Sequence, residues 1–368
     1  MADSADGAVT PSIREERCGA CHVFTIDRGG ALNALDAGMI ATLAASYPKL
    51  ARDANLYAVL IKSADPKAFS AGGDVRALIA LARRDPAAAR AWLKAEYAFN
   101  WLTECFSKPA VALIDGLVMG SGVGISAYAT HRVGGPKYKF AMPETAIGLF
   151  PDVGMAHALA RMPNHIGLYL GLTGLPIGRA DAFALGLLTH CIEPVAFAAI
   201  EAGLADAQTV DPLLDGLHRD PGEGVLARHA GLIERCFSAP SVAGVLDLLD
   251  QAARADPGDA FAIAARDTLR TRSPLALAVT LRHIRDAAGL DLRPTLQADY
   301  RLASRFLETH DFPEGVRAAL VDKDQAPQWR PASIADVTRD MLDDLFAPLP
   351  AGDELMLPLR QEMQAMRV

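Results

Sequence analysis

The sequence lacks the features that mark disulfide-rich, membrane-spanning and nucleic-acid-binding proteins. It has five cysteines in 368 residues, a small and odd number that fits a reducing compartment better than a disulfide framework. No run of about 18 apolar residues is present, which argues against a membrane partner, and the N-terminal residues have no apolar region like that of a secretory signal. The net charge of −8, without a concentrated basic stretch, argues against a nucleic-acid partner. We therefore expect a cytoplasmic protein.

The composition is that of an ordinary globular protein. Hydrophobic residues make up 51% and charged residues 22% of the chain, which excludes disorder, collagen and coiled coil. The length corresponds to roughly two domains and allows a large core without disulfides or metals. One local pattern, Cys18-x-x-Cys21-His22, matches a c-type haem attachment site. Attachment requires export, and His22 opens an alternating segment, so chance spacing at the start of a strand is the preferred interpretation.

Strand and helix patterns alternate over the first 200 residues or so. A strand is predicted from His22, a helix after an N-cap at Asp36, a buried strand over 57–62, and a long helix opened by Asp85 and Pro86. Further strands or helices are predicted over 110–115, 120–130, 242–250, 257–271, 274–288 and 296–309. The alternation predicts an α/β fold with mostly parallel strand connections, followed by a helical region.

This pattern divides the chain into three parts. Residues 1–14 are expected to be a disordered or extended N-terminus. Residues 15–210 form the predicted catalytic core, and residues 211–368 form the predicted helical C-terminal region. The second boundary is placed where the alternation gives way to consecutive helices.

The first candidate functional motif is Ala68-Phe69-Ser70-Ala71-Gly72-Gly73-Asp74, which lies between a predicted strand and a predicted helix. Two adjacent glycines allow a sharp turn that brings backbone N–H groups close to a ligand, and the helix N-terminus adds positive potential. An anion or a developing oxyanion fits such a turn. A purely structural turn with Asp74 as N-cap explains the same residues.

The second motif, Gly120-Ser121-Gly122-Val123-Gly124, also precedes a helix. Ile125 stands where a dinucleotide fingerprint needs glycine, and no nucleophile elbow frames a serine. If this turn converges with the first one, the two sets of amides form an oxyanion hole. The alternative is a glycine-rich turn that only lets a helix and a strand pack closely.

The third motif places Glu144 and Asp152 in an apolar run rich in Pro and Gly. Apolar surroundings raise the pKa of a carboxyl toward the range that is useful for proton transfer. The alternative is that the two acids cap short helices. The nine histidines are scattered without metal-site spacing, and His157 alone lies near this motif.

Taken in this order, the three motifs resemble the crotonase (enoyl-CoA hydratase/isomerase) superfamily, and more narrowly its branch of 3-hydroxyisobutyryl-CoA hydrolases. Segments 310–317 and 320–329 are similar to the C-terminal segment of those hydrolases, and the resemblance covers about residues 15 to 345. It implies a crotonase-like spiral of repeated ββα units with a C-terminal helical region. It also implies an acyl-CoA thioester substrate, whose CoA is part of the substrate, with no cofactor and no metal.

The resemblance also assigns roles to residues of this chain. The backbone N–H groups of Gly73 and Ser121 form the oxyanion hole, and Glu144 and Asp152 are the catalytic acids. Glu96, in a Glu-Tyr pair, contacts the substrate together with Ser121, Glu144 and Asp152. The expected contacts with CoA come from Ala68, Ala71, Gly72 and Asp74.

Three positions depart from the patterns of the family. Ser121 stands where the hydrolases usually have glycine, and its amide can still donate if its φ is negative. Met155 also replaces a usual glycine. Gly124 stands where hydratases carry the first of two glutamates, which argues against a hydration reaction.

The implied reaction is hydrolysis of 3-hydroxyisobutyryl-CoA to 3-hydroxyisobutyrate and CoA, a step of valine catabolism. Glu144 either activates water or attacks the thioester to form an anhydride, and the sequence leaves both routes open. The alternatives are an enoyl-CoA hydratase or isomerase and a non-catalytic acyl-CoA-binding protein. Acyl preference and oligomeric state, including a homo-oligomer, also remain open.

Overall fold

The computed structural model describes residues 12–368 and contains the elements of an α/β fold followed by helices. The strands are β1 (Ile13–Cys18), β2 (Cys21–Ile26), β3 (Ala58–Ser63), β4 (Ala68–Ser70), β5 (Ala110–Ile114), β6 (Leu117–Met119), β7 (His131–Gly134), β8 (Lys139–Ala141), β9 (Ile177–Gly178) and β10 (His190–Cys191). The helices of the first half are α1 (Ala37–Arg52), α2 (Val75–Arg84), α3 (Pro86–Glu104), α4 (Ser121–Ala127), α5 (Met155–Leu159), α6 (Ile166–Thr173) and α7 (Arg179–Ala184).

Helices account for most of the second half. They are α8 (Phe197–Ala205), α9 (Val210–Leu217), α10 (Leu226–Phe237), α11 (Val242–Ala255), α12 (Ala260–Thr271), α13 (Pro274–Ala287), α14 (Leu292–Phe306), α15 (Asp311–Val316), α16 (Arg339–Phe346) and α17 (Arg360–Ala365). A short 3-10 helix, Glu144–Ile147, and a π-helical turn, Arg317–Val321, also bear on the site.

The strands form two sheets whose order defines a spiral. The larger sheet has the order β1-β2-β3-β5-β7-β10, in which only the β1-β2 pair is antiparallel. The smaller sheet has the order β4-β6-β8-β9, with β9 antiparallel. From β3 to β8 the chain places successive strands alternately in the larger and the smaller sheet, and a helix follows β4 and β6. This arrangement confirms the expected spiral of ββα units.

Each face of the larger sheet has its own hydrophobic core. The outer face buries residues of β2, β3, β5 and β7 against α8 and α9. The inner face belongs to the main core, which extends from Ile13 in β1 to the C-terminal Val368. Because this core includes residues on both sides of position 210, the C-terminal helices pack on the spiral. The predicted division into 15–210 and 211–368 stays a prediction.

The helix starts predicted from the sequence are confirmed where an aspartate caps them. The carboxylates of Asp36, Asp74 and Asp85 accept hydrogen bonds from backbone N–H groups three residues ahead, at 2.9, 3.1 and 3.0 Å respectively. These bonds satisfy donors that the first helical turn leaves free. The helix predicted over 296–309 begins earlier, as α14 at Leu292.

Five short strands, β4, β6, β7, β8 and β9, were not predicted separately. Strands β4, β6 and β8 have three residues each, too few to show the alternation that identifies a strand. The N-terminal strand β1 was also missed, because four of its six residues are exposed. Of the N-terminal segment 1–14, residues 1–11 lie outside the described residues.

The Cys18-x-x-Cys21-His22 pattern forms the tip of the hairpin between β1 and β2, where Cys18 and Cys21 are paired in the strand register. The Nε2 atom of His22 lies 3.1 Å from a carboxylate oxygen of Glu15 on the neighbouring strand. These positions support the interpretation of the motif as a strand start.

Candidate active site

The first glycine-rich turn connects β4 to α2. Gly72 has φ +105°, a conformation that favours glycine, and its carbonyl accepts a hydrogen bond from Leu35 N–H at 2.8 Å. Asp74 N–H donates to the Leu35 carbonyl at 2.8 Å. Within residues 12–368, the intervening Gly73 N–H has no such partner, so it is available to a ligand.

The second turn connects β6 to α4 and lies directly against the first. A Cβ atom on Gly73 would lie 2.8 Å from Ser121 Oγ, and one on Gly122 would lie 2.6 Å from Ser70 Cβ. Ser121 is the first residue of α4 and has helical backbone, so its N–H is a free donor of the first turn. The convergence expected of the two turns is therefore present, and serine at this position keeps the amide.

The third motif brings Glu144 beside the second turn. Glu144 opens the 3-10 helix Glu144–Ile147, and its Oε1 atom would lie 3.0 Å from a Cβ atom on Gly120. Its Oε2 atom is buried and has no hydrogen-bond partner in the part of the chain that the structure describes. One carboxylate oxygen of Glu144 is therefore free to contact a substrate or a water.

Asp152 and Glu96 complete a cluster of three buried carboxyl groups. The exposed fractions of Glu96, Glu144 and Asp152 are 5%, 6% and 9%. Tyr97, next to Glu96 on α3, donates a hydrogen bond from its hydroxyl to Asp152 Oδ2 at 2.7 Å. Helix α3 thus supplies one acid of the cluster and anchors another.

The two turns and the three acids line one cavity of about 220 Å³. Its remaining wall is largely apolar and comes from α2, α3, the segment after Glu144 and the C-terminal region. The apolar wall residues include Leu78, Trp92, Leu93, Leu149, Leu307, Phe312 and Leu320. A cavity that joins an apolar wall with a few convergent polar groups is the usual form of a small-molecule site.

The pKa values of all three carboxyl groups in the cluster are raised. Burial raises the pKa of Glu96 to about 7, against a smaller opposing effect of the Ser121 hydroxyl. Burial, followed by the negative charge of Glu96, raises the pKa of Asp152 well above its ordinary value. Burial and the charge of Asp152 do the same for the pKa of Glu144. Because burial, and after it repulsion between neighbouring carboxylates, disfavours the charged forms, the cluster binds protons more tightly than exposed carboxyl groups do and can supply both an acid and a base.

The structure places most, but not all, of the expected CoA contacts at the cavity. Ala71, Gly72 and Asp74 line it. Ala68 lies in β4, where its carbonyl accepts hydrogen bonds from Asn33 and Ser63, and it does not form part of the cavity wall.

Three other positions singled out in the sequence lie in the packing around the site. The Nδ1 atom of His157 lies 3.1 Å from the Leu290 carbonyl, and His157 does not line the cavity. Met155 is buried at the start of α5. A Cβ atom on Gly124 would lie 2.9 Å from Asn100 Nδ2, so packing leaves little room for a larger side chain there.

Two cavity residues of the C-terminal segment, Phe312 and Leu320, were not predicted from the sequence. They lie in the segments 310–317 and 320–329 that carry the resemblance, and this was the only signal for them. Around Gly315 the segment packs against the backbone that bears Glu144, since a Cβ atom on Gly315 would lie 2.4 Å from the Ile147 carbonyl. Helix α15 thus packs against the 3-10 helix that carries Glu144.

Replacing Gly315 by alanine is expected to displace the 3-10 helix and with it Glu144. We expect a loss of about 1–3 kcal/mol in the free energy of unfolding, as for other overpacking changes, and a several-fold fall in turnover. Denaturant unfolding and steady-state kinetics measure both. The matched control is Gly231→Ala in α10, where nothing lies within 4 Å of the added Cβ. Equal behaviour of the two variants would contradict the contact.

Comparison with known proteins gives matches over most of the chain. The family model of enoyl-CoA hydratase/isomerase matches residues 21–346. The chain is 38% identical over 350 residues to the mitochondrial 3-hydroxyisobutyryl-CoA hydrolase of Xenopus tropicalis, covering 92% of this chain and 89% of that protein. It is 35% identical over 348 residues to the human protein of the same name, with 92% and 89% coverage.

Solved structures with the same fold carry different names. A carnitinyl-CoA dehydratase from Mycobacterium thermoresistibile is similar at 35% identity with a TM-score of 0.88, over 94% of this chain and 99% of that one. An enoyl-CoA hydratase from Rhodobacter sphaeroides is similar at 33% identity with a TM-score of 0.88, over 94% and 100%. Both similarities confirm the spiral fold with its helical C-terminal region.

Proposed function

The chain belongs to the enoyl-CoA hydratase/isomerase family, and we propose that it hydrolyses the thioester of 3-hydroxyisobutyryl-CoA to 3-hydroxyisobutyrate and CoA. The observation that carries this proposal is the convergence of two glycine-rich turns and three buried carboxyl groups on one cavity. The names of the similar curated proteins support the choice of substrate. The reaction is a step of valine catabolism.

The two turns supply the oxyanion hole. In the proposed reaction, the thioester carbonyl oxygen lies between the N–H groups of Gly73 and Ser121. These donors stabilise the negative charge that appears on the oxygen as the carbonyl carbon becomes tetrahedral, and each such donor typically contributes about 3 kcal/mol. Ser121 acts here through its backbone.

The acids supply the proton transfers. Glu144, whose Oε2 atom has no hydrogen-bond partner within residues 12–368, either takes a proton from the attacking water or attacks the thioester itself. The second route breaks the C–S bond, expels CoA thiolate and forms an anhydride, which water then hydrolyses. A protonated member of the cluster gives its proton to the departing thiolate if one is needed. Glu96 and Asp152 bind the 3-hydroxyl of the substrate and orient the water. The reaction changes no oxidation state, and we propose that it needs no metal or redox cofactor, CoA being part of the substrate.

Hydration of an enoyl-CoA is the second candidate, because the two similar solved structures are named a dehydratase and a hydratase. The two reactions are separated by incubating the enzyme in parallel with 3-hydroxyisobutyryl-CoA and crotonyl-CoA. We expect free thiol to form from the first, at a rate far above the blank, and the enoyl absorbance of the second to persist. Loss of the enoyl absorbance without thiol release would establish the second candidate instead.

The location and assembly of the protein stay predictions. Within residues 12–368, no helix is long and apolar enough to cross a membrane, and the five cysteines are free. The cytoplasmic location expected from the sequence contrasts with the mitochondrial names of the relatives. A homo-oligomer and the absence of a nucleic-acid partner also stay predictions.

The ionisation of Glu96 is expected to oppose the stability of the protein. Since its folded-state pKa is raised to about 7, the folded state binds this proton more tightly than the unfolded chain, and stability falls as the pH rises from about 4.5 through about 7. The cost at higher pH is about 3 kcal/mol, at about 1.4 kcal/mol for each pKa unit.

We therefore expect Glu96→Gln to be more stable than the wild type near pH 8 and to lose less stability between about pH 5 and pH 8. Denaturant titrations at both pH values measure this difference. The exposed Glu223 offers a matched control, since Glu223→Gln should follow the wild type. A Glu96→Gln variant with the pH dependence of the wild type would contradict the raised pKa.

A further inference from the structure

A buried aspartate outside the cavity contacts the turn that carries Asp152. Asp299 lies on α14, is fully buried and does not line the cavity. Its Oδ2 atom accepts a hydrogen bond from the backbone N–H of Gly154 at 2.5 Å. Its Oδ1 atom lies 2.5 Å from Nε2 of His283 on α13. One carboxylate thus connects two C-terminal helices to the backbone two residues after a catalytic candidate.

The turn that it contacts has an unfavourable backbone conformation. Val153 has φ +50° and Gly154 has φ +77°, and a β-branched residue rarely adopts a positive φ. The Val153 carbonyl accepts a hydrogen bond from the Tyr128 hydroxyl at 2.5 Å. Such a conformation persists only where surrounding contacts hold it, and Tyr128 and Asp299 supply these contacts on either side of the peptide group between Val153 and Gly154.

A contact that only joined α13 to α14 would not need the second hydrogen bond, from Gly154 N–H to Asp299. His283 already provides a partner for Asp299 within the helical region, yet the second carboxylate oxygen is directed to Gly154, 145 residues away in the sequence. At the other end of the same turn, the side chain of Asp152 reaches the cavity and accepts the hydrogen bond from Tyr97. The conformation of the turn therefore determines where Asp152 stands relative to Glu96 and Glu144.

We propose that Asp299, held by His283, is a positioning residue for the reaction, which fixes the turn Asp152–Gly154 so that Asp152 faces the substrate. This inference rests on the proposed function. Asp299 contacts neither the substrate nor the cavity and acts through Asp152.

Asp299 also changes the electrostatics of the cluster. Burial and the charge of Glu96 are the main causes of the raised pKa of Asp152; the negative charge of Asp299 raises it further, and the hydrogen bond from Tyr97 lowers it. The titratable groups that face Asp152 are Glu96 and Tyr97 from α3, Glu144 from the 3-10 helix, Tyr128 after α4 and Asp299 from α14. Removal of one negative charge from this set favours ionisation of the remaining carboxyl groups.

Three variants separate the geometry from the charge. In Asp299→Asn the amide oxygen can still accept from Gly154 N–H, and the amide nitrogen can donate to a neutral His283, so the contacts remain while the charge is lost. Asp299→Ala removes both the contacts and the charge. Asp215→Asn is the matched control, because Asp215 also pairs with a histidine, His190, at 3.2 Å and lies outside the cavity.

The experiment measures kcat and KM for 3-hydroxyisobutyryl-CoA against pH, with thermal unfolding of each variant. We expect the pH profile of kcat for Asp299→Asn to move to lower pH by about one unit, with KM little changed. Asp299→Ala is expected to lose kcat by about tenfold, less than the roughly hundredfold that misplacing a reacting group can cost. His283→Gln, which can still donate to Asp299, is expected to retain most of kcat.

The outcomes separate this inference from the proposed function. If wild-type protein releases no CoA above the blank, the proposed function fails. If the wild type is active and a folded Asp299→Ala keeps the kcat of the wild type and of Asp215→Asn, the positioning role is overturned. A fall in kcat at little-changed KM in Asp299→Ala, with kcat largely retained in Asp299→Asn, supports it. If Asp299→Ala fails to fold, Asp299→Leu, which fills a similar volume without an acceptor for Gly154 N–H, replaces it in this comparison.

Discussion

Replacing Glu144 by glutamine is expected to lower kcat for thioester hydrolysis by about a hundredfold or more. Glutamine has nearly the same shape but can neither take a proton from water nor attack the thioester, and a lost acid–base group typically costs this much. The buried, unpaired Oε2 atom of Glu144 is the group that the substitution removes. Steady-state release of CoA measures the effect.

The control for this substitution is Glu223→Gln, which makes the same chemical change at an exposed position. It should leave kcat at the wild-type level. A Glu144→Gln variant that keeps kcat within a fewfold of the wild type would remove Glu144 from the reaction. Because burial raises the pKa of Glu144 and so favours a neutral side chain at this position, no loss of stability is expected for glutamine. Thermal unfolding checks that a loss of activity does not come from a loss of folded protein.

Asp152→Asn is expected to reduce kcat on a similar scale, about a hundredfold. The substitution removes the member of the cluster whose charge raises the pKa of Glu144, and it weakens the acceptor of the Tyr97 hydroxyl. Both the proton distribution among the acids and the orientation of the substrate should change. Measuring kcat and KM separately distinguishes these effects, since a pure binding role would raise KM at constant kcat.

A companion variant, Tyr97→Phe, tests the same contact from the other side. It removes the hydroxyl that donates to Asp152 Oδ2 and leaves every carboxyl in place. We expect a smaller fall in kcat than for Asp152→Asn. Activity unchanged in both variants would contradict a catalytic role for Asp152. Absence of activity in the wild type as well would agree with a non-catalytic acyl-CoA-binding protein.

The elements of the site could be predicted where a local pattern determines them. The turns at Gly72-Gly73 and Gly120-Ser121 are defined by glycines between a strand and a helix, and each helix start by a nearby cap or free amide. The acids Glu144 and Asp152 stand out because the run around them is apolar. The resemblance to a family supplied what these local patterns could not, namely that the three motifs meet at one substrate.

The contacts that hold the site together could not be predicted, because they join distant parts of the chain. Tyr97 reaches Asp152 across 55 residues, and Asp299 reaches Gly154 across 145 residues. His283, which anchors Asp299, is one of nine histidines, and nothing in its neighbouring sequence distinguishes it from the others. A lone polar residue on an apolar helix face becomes informative only when its partner is known.

The C-terminal helices have a larger part in the site than the division into a catalytic core and a helical region suggested. Phe312 and Leu320 form part of the cavity wall, Gly315 packs against the backbone next to Glu144, and Asp299 holds the turn after Asp152. Since the main hydrophobic core extends to Val368, these helices complete the site that the spiral begins.

The central claim is that the buried acids and the two turns together hydrolyse a thioester. Its most direct test follows the conversion of 3-hydroxyisobutyryl-CoA by wild type and Glu144→Gln in water enriched with heavy oxygen, with free CoA and the labelled acid quantified together. We expect the wild type to form equal amounts of CoA and of 3-hydroxyisobutyrate labelled in its carboxylate under multiple turnover, and Glu144→Gln to form about a hundredfold less. CoA release by the wild type no faster than in the blank, or equally fast release by both proteins, would contradict the account.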